Sequence, residues 1–337
     1  MNSSADPALT RLTLWHYRLP LREPLALGPC TLPHREGLLM EWQGADQRVI
    51  WSEISPLPGF SDHDLAACTH QLQCLLHGTG SLEDRLNPGH PGLFPEVRFG
   101  LESGYLQWSI PLPPAQPLPR CQLLRHDADP RTVPQTPCIK LKVGRAPPAE
   151  DAQRIQGLIR QLRDGQQLRL DANRSWTLDT ARDLSKRIDH RHVAFIEEPL
   201  LPGSDYGAWF TATGLPFAWD ETLRETSVTA IEARLDTPGL AALVIKPMLT
   251  GLGRAEGWVR AARARGLGVV LSAAYESNLT LDLYTRLAAH WGLTGPQGLD
   301  TFEPFTHALI EPIRSQPEHA ARPVLGREDL HCLGHWT

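Results

Sequence analysis

Cys138-Ile139-Lys140-Leu141-Lys142-Val143 and Leu168-Arg169-Leu170-Asp171-Ala172 are short, mainly apolar runs, each with a charged residue near its carboxyl end. Between them, residues 149–162 carry an amphipathic helical pattern. The alternation continues downstream. Strand-like runs over 193–197, 217–220, 242–246, 268–272 and 298–301 are interleaved with helical patterns that include 177–188, 253–265 and 278–290. Strand–helix units repeated in this way imply parallel strands joined by crossover helices. Seven or eight in succession suit a closed barrel, not an open nucleotide-binding sheet. The open sheet would want Gly-x-Gly-x-x-Gly after its first strand, and Gly144 is followed instead by Arg145-Ala146-Pro147-Pro148.

Upstream the texture differs. Residues 12–19, 37–43 and 47–54 read as strands, the last two joined by a tight turn at Gly44-Ala45-Asp46. Helical patterns follow over 62–76 and 95–108. In the first, Leu65, Cys68, Leu72 and Leu76 recur at three- and four-residue steps, with Ser61 or Asp62 as the cap. Residues 111–119 hold five prolines, a stiff stretch that cannot continue a helix and reads as a linker. The expectation is an α/β chain: an N-terminal α+β domain over 1–120, a β/α barrel over 121–304, and residues 305–337 packing back on the first domain.

Composition narrows the function classes. The chain has 337 residues, 41% hydrophobic and 21% charged, ample for a large core. Lys+Arg 33 against Asp+Glu 38 leaves a net charge of -5 and no broad basic surface, which argues against a nucleic-acid partner. No run approaches the roughly 18 apolar residues of a membrane helix. Residues 1–7 lack the basic and apolar regions of a secretory signal. The six cysteines include no Cys-x-x-Cys pair and read as reduced, mostly buried thiols of a cytoplasmic protein. Nothing in the pattern fixes an oligomeric state, and a monomer is consistent with it.

In a parallel barrel, functional groups come from the carboxyl ends of the strands. Read in order, those ends give Lys142, Asp171, Glu197, Asp220 and Lys246. One such residue is an ordinary solvated strand end; five on successive strands read as a site. Side chains two apart share a face, so Lys140 goes with Lys142 and Arg169 with Asp171. Glu197 goes with Phe195 and Val193, and Glu198 with Ile196. Both faces are apolar, so alternation does not choose between the glutamates. Two carboxylates about 4 Å apart repel by roughly 4 kcal/mol at an effective dielectric of 20, so converging Asp171, Glu197 and Asp220 call for protons or a cation. An all-oxygen set completed by water and substrate favours Mg²⁺. The two lysines would then flank the ion. An amine beside a divalent cation and a second cationic group favours its neutral, basic form. A small-molecule carboxylate on the metal would have an acidified α-proton, and its enediolate would be held by Mg²⁺ and a lysinium.

At these residues the chain resembles the enolase superfamily and, within it, the o-succinylbenzoate synthases of menaquinone biosynthesis. The likeness runs through Ser52-Glu53-Ile54-Ser55-Pro56-Leu57-Pro58-Gly59-Phe60-Ser61, before the first cap helix, and the Lys-x-Lys of Lys140-Leu141-Lys142. It continues in Leu170-Asp171-Ala172-Asn173, Phe195-Ile196-Glu197-Glu198-Pro199 and Trp219-Asp220-Glu221, then in Ile245-Lys246-Pro247 and Gly298-Leu299-Asp300-Thr301. The resemblance implies a modified TIM barrel under an N-terminal cap, and a Mg²⁺-dependent (or Mn²⁺-dependent) syn dehydration of 2-succinyl-6-hydroxy-2,4-cyclohexadiene-1-carboxylate. It makes Lys142 the base and then the acid, Lys246 the opposed lysinium, and Asp171, Glu197 and Asp220 the metal ligands. It also implies Lys140, Arg169 and Asn173 as partners of the substrate carboxylate or of the ligands, although a barrel salt bridge is the plain alternative for Arg169.

The chain departs from the family where a serine run is expected, reading Ser272-Ala273-Ala274-Tyr275-Glu276-Ser277. Substrate contact there falls to Ser272, the backbone at Ala273, and Gly298. His34-Arg35-Glu36-Gly37 lies where family members carry a mobile loop over the site. Thr250-Gly251-Leu252-Gly253-Arg254 reads as a strand-to-helix turn, His190 and His192 as solvated, and Trp15, Trp42 and Trp51 as packing. The rival with the same machinery is an N-acylamino acid racemase or dipeptide epimerase, whose two lysines work on opposite faces of one carbon. A rival of another class is a ligand-binding barrel without turnover, which would be free to lose one of the five charged residues.

Overall fold

The computed structural model describes residues 8–27, 30–124 and 133–337. The reading of residues 1–7 lies outside them. An antiparallel sheet in the order β13-β1-β2-β3 is built from β1 (Leu9–Leu27), β2 (Cys30–Gly44), β3 (Val49–Ile54) and β13 (His331–Trp336). The expected strands at 12–19, 37–43 and 47–54 fall inside the first three. β1 and β2 run longer than the sequence suggests, with a register shift between Pro20 and Leu25. A bulge of this kind absorbs prolines that cannot donate to a ladder.

Two helices, Leu65–Leu76 and Pro95–Ser109, cover this sheet. Leu72, Leu76, Val97 and Leu101 meet Leu12, Leu14, Met40 and Trp42 in one apolar cluster. The contact is close enough to require glycine: a methyl at Gly104 would sit 2.2 Å from Trp42 Cζ2. The first helix is capped by Asp64, which accepts from the Ala67 N–H, not by Ser61 or Asp62. All three residues can cap, and only Asp64 stands three before an orphan N–H of the helix as formed.

The second sheet is parallel, ordered β10-β9-β8-β7-β6-β5-β4. Its strands are β4 (Cys121–Leu124), β5 (Cys138–Lys142), β6 (Gln167–Asp171), β7 (Val193–Glu197), β8 (Phe217–Trp219), β9 (Leu240–Ile245) and β10 (Gly268–Leu271). Helices Pro148–Ile159, Leu178–Ser185, Leu252–Ala264 and Asn278–His290 stand at the expected crossovers. Residues 297–298 close the sheet on itself, bridging Arg120 to Gln297 and Ser272 to Gly298. The expected strand over 298–301 is thus a single bridge among the described residues, since Gly298 offers no side chain to pack and Asp300 is polar. β4 has no counterpart in the sequence reading; Pro119 ahead of it reads as linker. A small parallel pair, β11 (Ala308–Leu309) with β12 (Val324–Leu325), completes the topology. The architecture is a modified TIM barrel with an antiparallel N-terminal cap.

Further differences from expectation are local. Residues 34–37 belong to β2, paired with residues 17–20 of β1 and not looped out. Cys68, Cys121 and Cys138 are buried, Cys30 is half-buried, and Cys74 and Cys332 are exposed, so half of the thiols and not most are buried. His190 and His192 are half-buried, and His190 Nε2 lies 2.7 Å from the Ser185 carbonyl oxygen. No helix of the described residues is long and apolar enough to cross a membrane.

Candidate active site

The pleat of the barrel strands delivers the site. On β7 to β10, Phe195, Ala218, Ala242, Val244 and Val270 pack together as an apolar cluster inside the barrel. Two residues further along the same faces come Glu197, Asp220, Lys246 and Ser272, at the carboxyl ends. On β5 and β6 the inner face carries Lys140 and Lys142, then Arg169 and Asp171. All of these charged residues, together with Asn173, Ser272, Ala273 and Gly298, border one cavity of about 530 Å³. Strand order places β7 between β6 and β8, so Glu197 stands between Asp171 and Asp220.

The charges interlock. Lys140 Nζ lies 2.9 Å from Asp171 Oδ2 and 2.8 Å from Glu197 Oε1. Lys142 Nζ lies 3.7 Å from Asp171 Oδ2 and donates to Asn173 Oδ1 at 3.1 Å. Lys246 Nζ is bonded to Asp220 Oδ2. Asp171, Glu197 and Asp220 are buried. Burial pushes the Glu197 carboxyl up to about 8; the Lys140 ammonium opposes this, and the carboxylates of Asp171 and Asp220 add to it. Burial alone would raise Asp171 and Asp220 too, but Lys140 and Lys142 beside the one and Lys246 beside the other hold both below the usual range. Burial works against the charged form of Lys140 and Lys246, and the surrounding carboxylates overcome it and hold both above the ordinary lysine value.

This donor set suits a hard divalent cation: three buried carboxylates on neighbouring strands, one of them under-compensated even with two ammonium groups present. Among the described residues, no three His, Cys, Asp or Glu side chains close on a common point; the Lys140 ammonium lies between Asp171 and Glu197, and that of Lys246 pairs with Asp220. Asp171, Glu197 and Asp220 are the residues able to hold such an ion. The choice between the glutamates is now visible: Glu197 borders the cavity, and Glu198 turns away into a buried network.

Arg169 makes no barrel salt bridge among the described residues. Its guanidinium lies 4.9 Å over the Phe195 ring, with a buried, unpartnered Nε. At the opposite wall, the N–H of Ala273 donates to the Gly298 carbonyl at 2.9 Å, and that of Ala274 to Glu276 Oε2 at 2.5 Å. These two N–H groups are therefore engaged within the chain. Sequence reasoning missed other residues of the wall. Glu221 follows Asp220 directly, borders the cavity and has a buried, unpartnered Oε2. Tyr275, Asp300, Leu57 and Phe60 also line the cavity. The Asp220-Glu221 dipeptide was the available signal for the first. Tyr275 gives none, because a single aromatic in a loop has no periodicity to read.

Comparison with known proteins shows the family and agrees with the fold. Residues 126–315 match the family model described as enolase C-terminal domain-like, and residues 9–108 match that described as MenC, N-terminal domain. The chain is 33% identical over 308 residues to the o-succinylbenzoate synthase of Klebsiella pneumoniae (strain 342), covering 89% of this chain and 93% of that protein. It is 36% identical over 308 residues to the o-succinylbenzoate synthase of Edwardsiella ictaluri (strain 93-146), covering 87% and 90%. Among solved structures, the o-succinylbenzoate synthase of Thermosynechococcus elongatus BP-1, complexed with Mg in its active site, superposes with a TM-score of 0.69 at 24% identity, covering 86% of this chain and 92% of that one.

Proposed function

Because the chain belongs to the enolase superfamily and, within it, to the o-succinylbenzoate synthase family, we propose that it is a hydro-lyase. It dehydrates 2-succinyl-6-hydroxy-2,4-cyclohexadiene-1-carboxylate to o-succinylbenzoate and water. We read residues 1–120, with 305–337 packed back on them, as the capping unit, and 121–304 as the catalytic barrel. The observation that carries the proposal is that one cavity brings Lys142 to Asp171 and Lys246 to Asp220, with Glu197 between.

Asp171, Glu197 and Asp220 would hold Mg²⁺, or Mn²⁺ in its place, and the bound ion supplies the positive charge that acidifies the proton α to the substrate carboxylate. Lys142 takes that proton as general base, oriented by its bond to Asn173 Oδ1. It then returns the proton to the hydroxyl leaving the neighbouring ring carbon on the same face, so one residue serves both halves of a syn elimination and water departs. Lys246, bound to Asp220 from the other side of Glu197, stays an ammonium and stabilises the enediolate as negative charge develops. Lys140 holds Asp171 and Glu197 in their mutual spacing. Arg169 and Ser272 are further polar groups offered to the substrate, while Leu57 and Phe60 present apolar surface to its ring.

The test is direct. Purified protein with Mg²⁺ should convert the cyclohexadiene substrate to the aromatic product, and EDTA should stop it. An inert enzyme on that substrate, together with α-proton exchange into N-succinylamino acids, would overturn the proposal in favour of a racemase.

A further inference from the structure

Glu198 follows a proposed metal ligand, yet its own carboxylate faces away from the cavity. It is 1% exposed and sits at φ +39, a left-handed conformation that is uncommon outside glycine. Its Oε1 accepts from the Asp220 N–H at 2.8 Å and the Thr222 N–H at 2.7 Å. Its Oε2 accepts from Thr222 Oγ1 at 3.0 Å, Arg174 Nε at 3.2 Å and Tyr206 Oη at 3.5 Å. A carboxylate has about four acceptor positions, so this one is saturated and has none left for an ion.

The donors come from both neighbouring strand ends. Arg174 lies just past Asp171, at φ +58, and its N–H also donates to the Glu198 carbonyl at 2.7 Å. Asp220 and Thr222 begin the turn after β8. One buried side chain therefore clasps the loop after β6 and the turn after β8 to the end of β7. Glu197 and Asp220 lie on two of these elements, and the third leads directly from Asp171, the last residue of β6.

We propose that Glu198 is a positioning residue that sets divalent-cation affinity, without ligating, by fixing where Asp171 and Asp220 stand relative to Glu197. The inference rests on the reading of Asp171, Glu197 and Asp220 as ligands. Removing a partner that orients ligands typically costs ten- to a hundredfold in metal affinity. Glu198→Gln keeps the shape but turns one acceptor into a donor facing donors, so at least one bond of the set fails.

The probe is Mn²⁺, titrated against the intact protein in the absence of substrate and followed by electron paramagnetic resonance of the free ion. Asp171→Asn serves as the ligand control. Glu198→Gln should raise the Mn²⁺ Kd at least about tenfold at a temperature where circular dichroism shows it fully folded. Thr222→Val, which removes one side-chain donor and leaves the carboxylate, should raise it about threefold, and it carries the test alone if Glu198→Gln does not fold. Wild-type Kd in whichever of these variants folds, with binding lost in Asp171→Asn, overturns this proposal alone. Mn²⁺ binding that Asp171→Asn leaves intact overturns the ligand assignment, and this inference falls with it.

Discussion

Arg35 of the cap donates its Nε to the backbone carbonyl of Tyr275, 3.0 Å away in the wall of the barrel cavity. Its Nη1 donates to Pro56 O and its Nη2 to Ser55 O and Ser55 Oγ, and the residue is 2% exposed. Tyr275 sits at φ +59, a costly conformation for an aromatic residue unless its surroundings impose it. Close by, Glu53 accepts from Tyr17 Oη, from the N–H and Oγ of Ser277, and from Thr280 Oγ1. The segment bearing Ala273, Ala274 and Tyr275 is thus held by the cap.

Arg35→Met leaves several buried oxygens without donors. Each such loss costs about 1–3 kcal/mol, so a destabilisation on the order of 3 kcal/mol is expected in urea unfolding. At a temperature where the variant is folded, KM should rise more than kcat falls, because the strained wall relaxes while the lysines and carboxylates stay in place. Steady-state kinetics at saturating Mg²⁺ separate the two.

Lys142→Ala should lower kcat by at least about 10³-fold, the loss of a group that both takes and returns the proton. Its side chain is 38% exposed and it shares the buried Asp171 with Lys140, so the variant should stay folded, with stability moving by no more than about 1 kcal/mol. Single-turnover product formation and a thermal melt, run on one preparation, check both halves.

Mg²⁺ should stabilise the fold as well as enable turnover. Three buried carboxylates repel one another, and a ligand that binds only the folded form adds about 2.7 kcal/mol at a hundred times its Kd. The melting temperature should climb with Mg²⁺ concentration and fall back on addition of EDTA, and Glu197→Gln should blunt that response.

Glu276 predicts a pH dependence. It is fully buried; burial pushes its carboxyl up to about 7, helped by the Glu53 carboxylate and opposed by bonds from the Ala274 N–H and Tyr284 Oη. Between the ordinary value of 4.5 and about 7, the folded protein keeps a proton that the unfolded chain has lost. Stability therefore falls as pH rises through that window, by at most on the order of 3 kcal/mol from this group. Urea midpoints at pH 5 and pH 8 should differ less in Glu276→Gln than in the wild type.

Much of this arrangement was legible in the sequence because parallel barrel strands repeat a simple rule. Lys140 and Lys142 had to share a face, and the carboxyl ends of successive strands had to converge. Glu197 and Glu198 were not separable, because β7 is apolar on both sides, and only the network around Glu198 decides which one turns inward. β4 went unread because prolines precede it, and residues 298–301 were over-read because one bridge at Gly298 is enough to close the barrel. Arg35 looked like part of a loop, yet its place in β2 depends on pairing with β1, which no local pattern encodes.

The pairing of β13 with β1 bears on how the protein is made. The register Leu12↔Trp336 to His16↔His331 joins segments with the entire barrel between them in sequence. On a ribosome, which releases the amino-terminal part first, the cap sheet must wait with an open edge until the barrel has emerged. Closure of that edge, though not the pairing of β1, β2 and β3, follows synthesis of the barrel, and a nascent chain stalled before β13 would expose an edge available to another molecule.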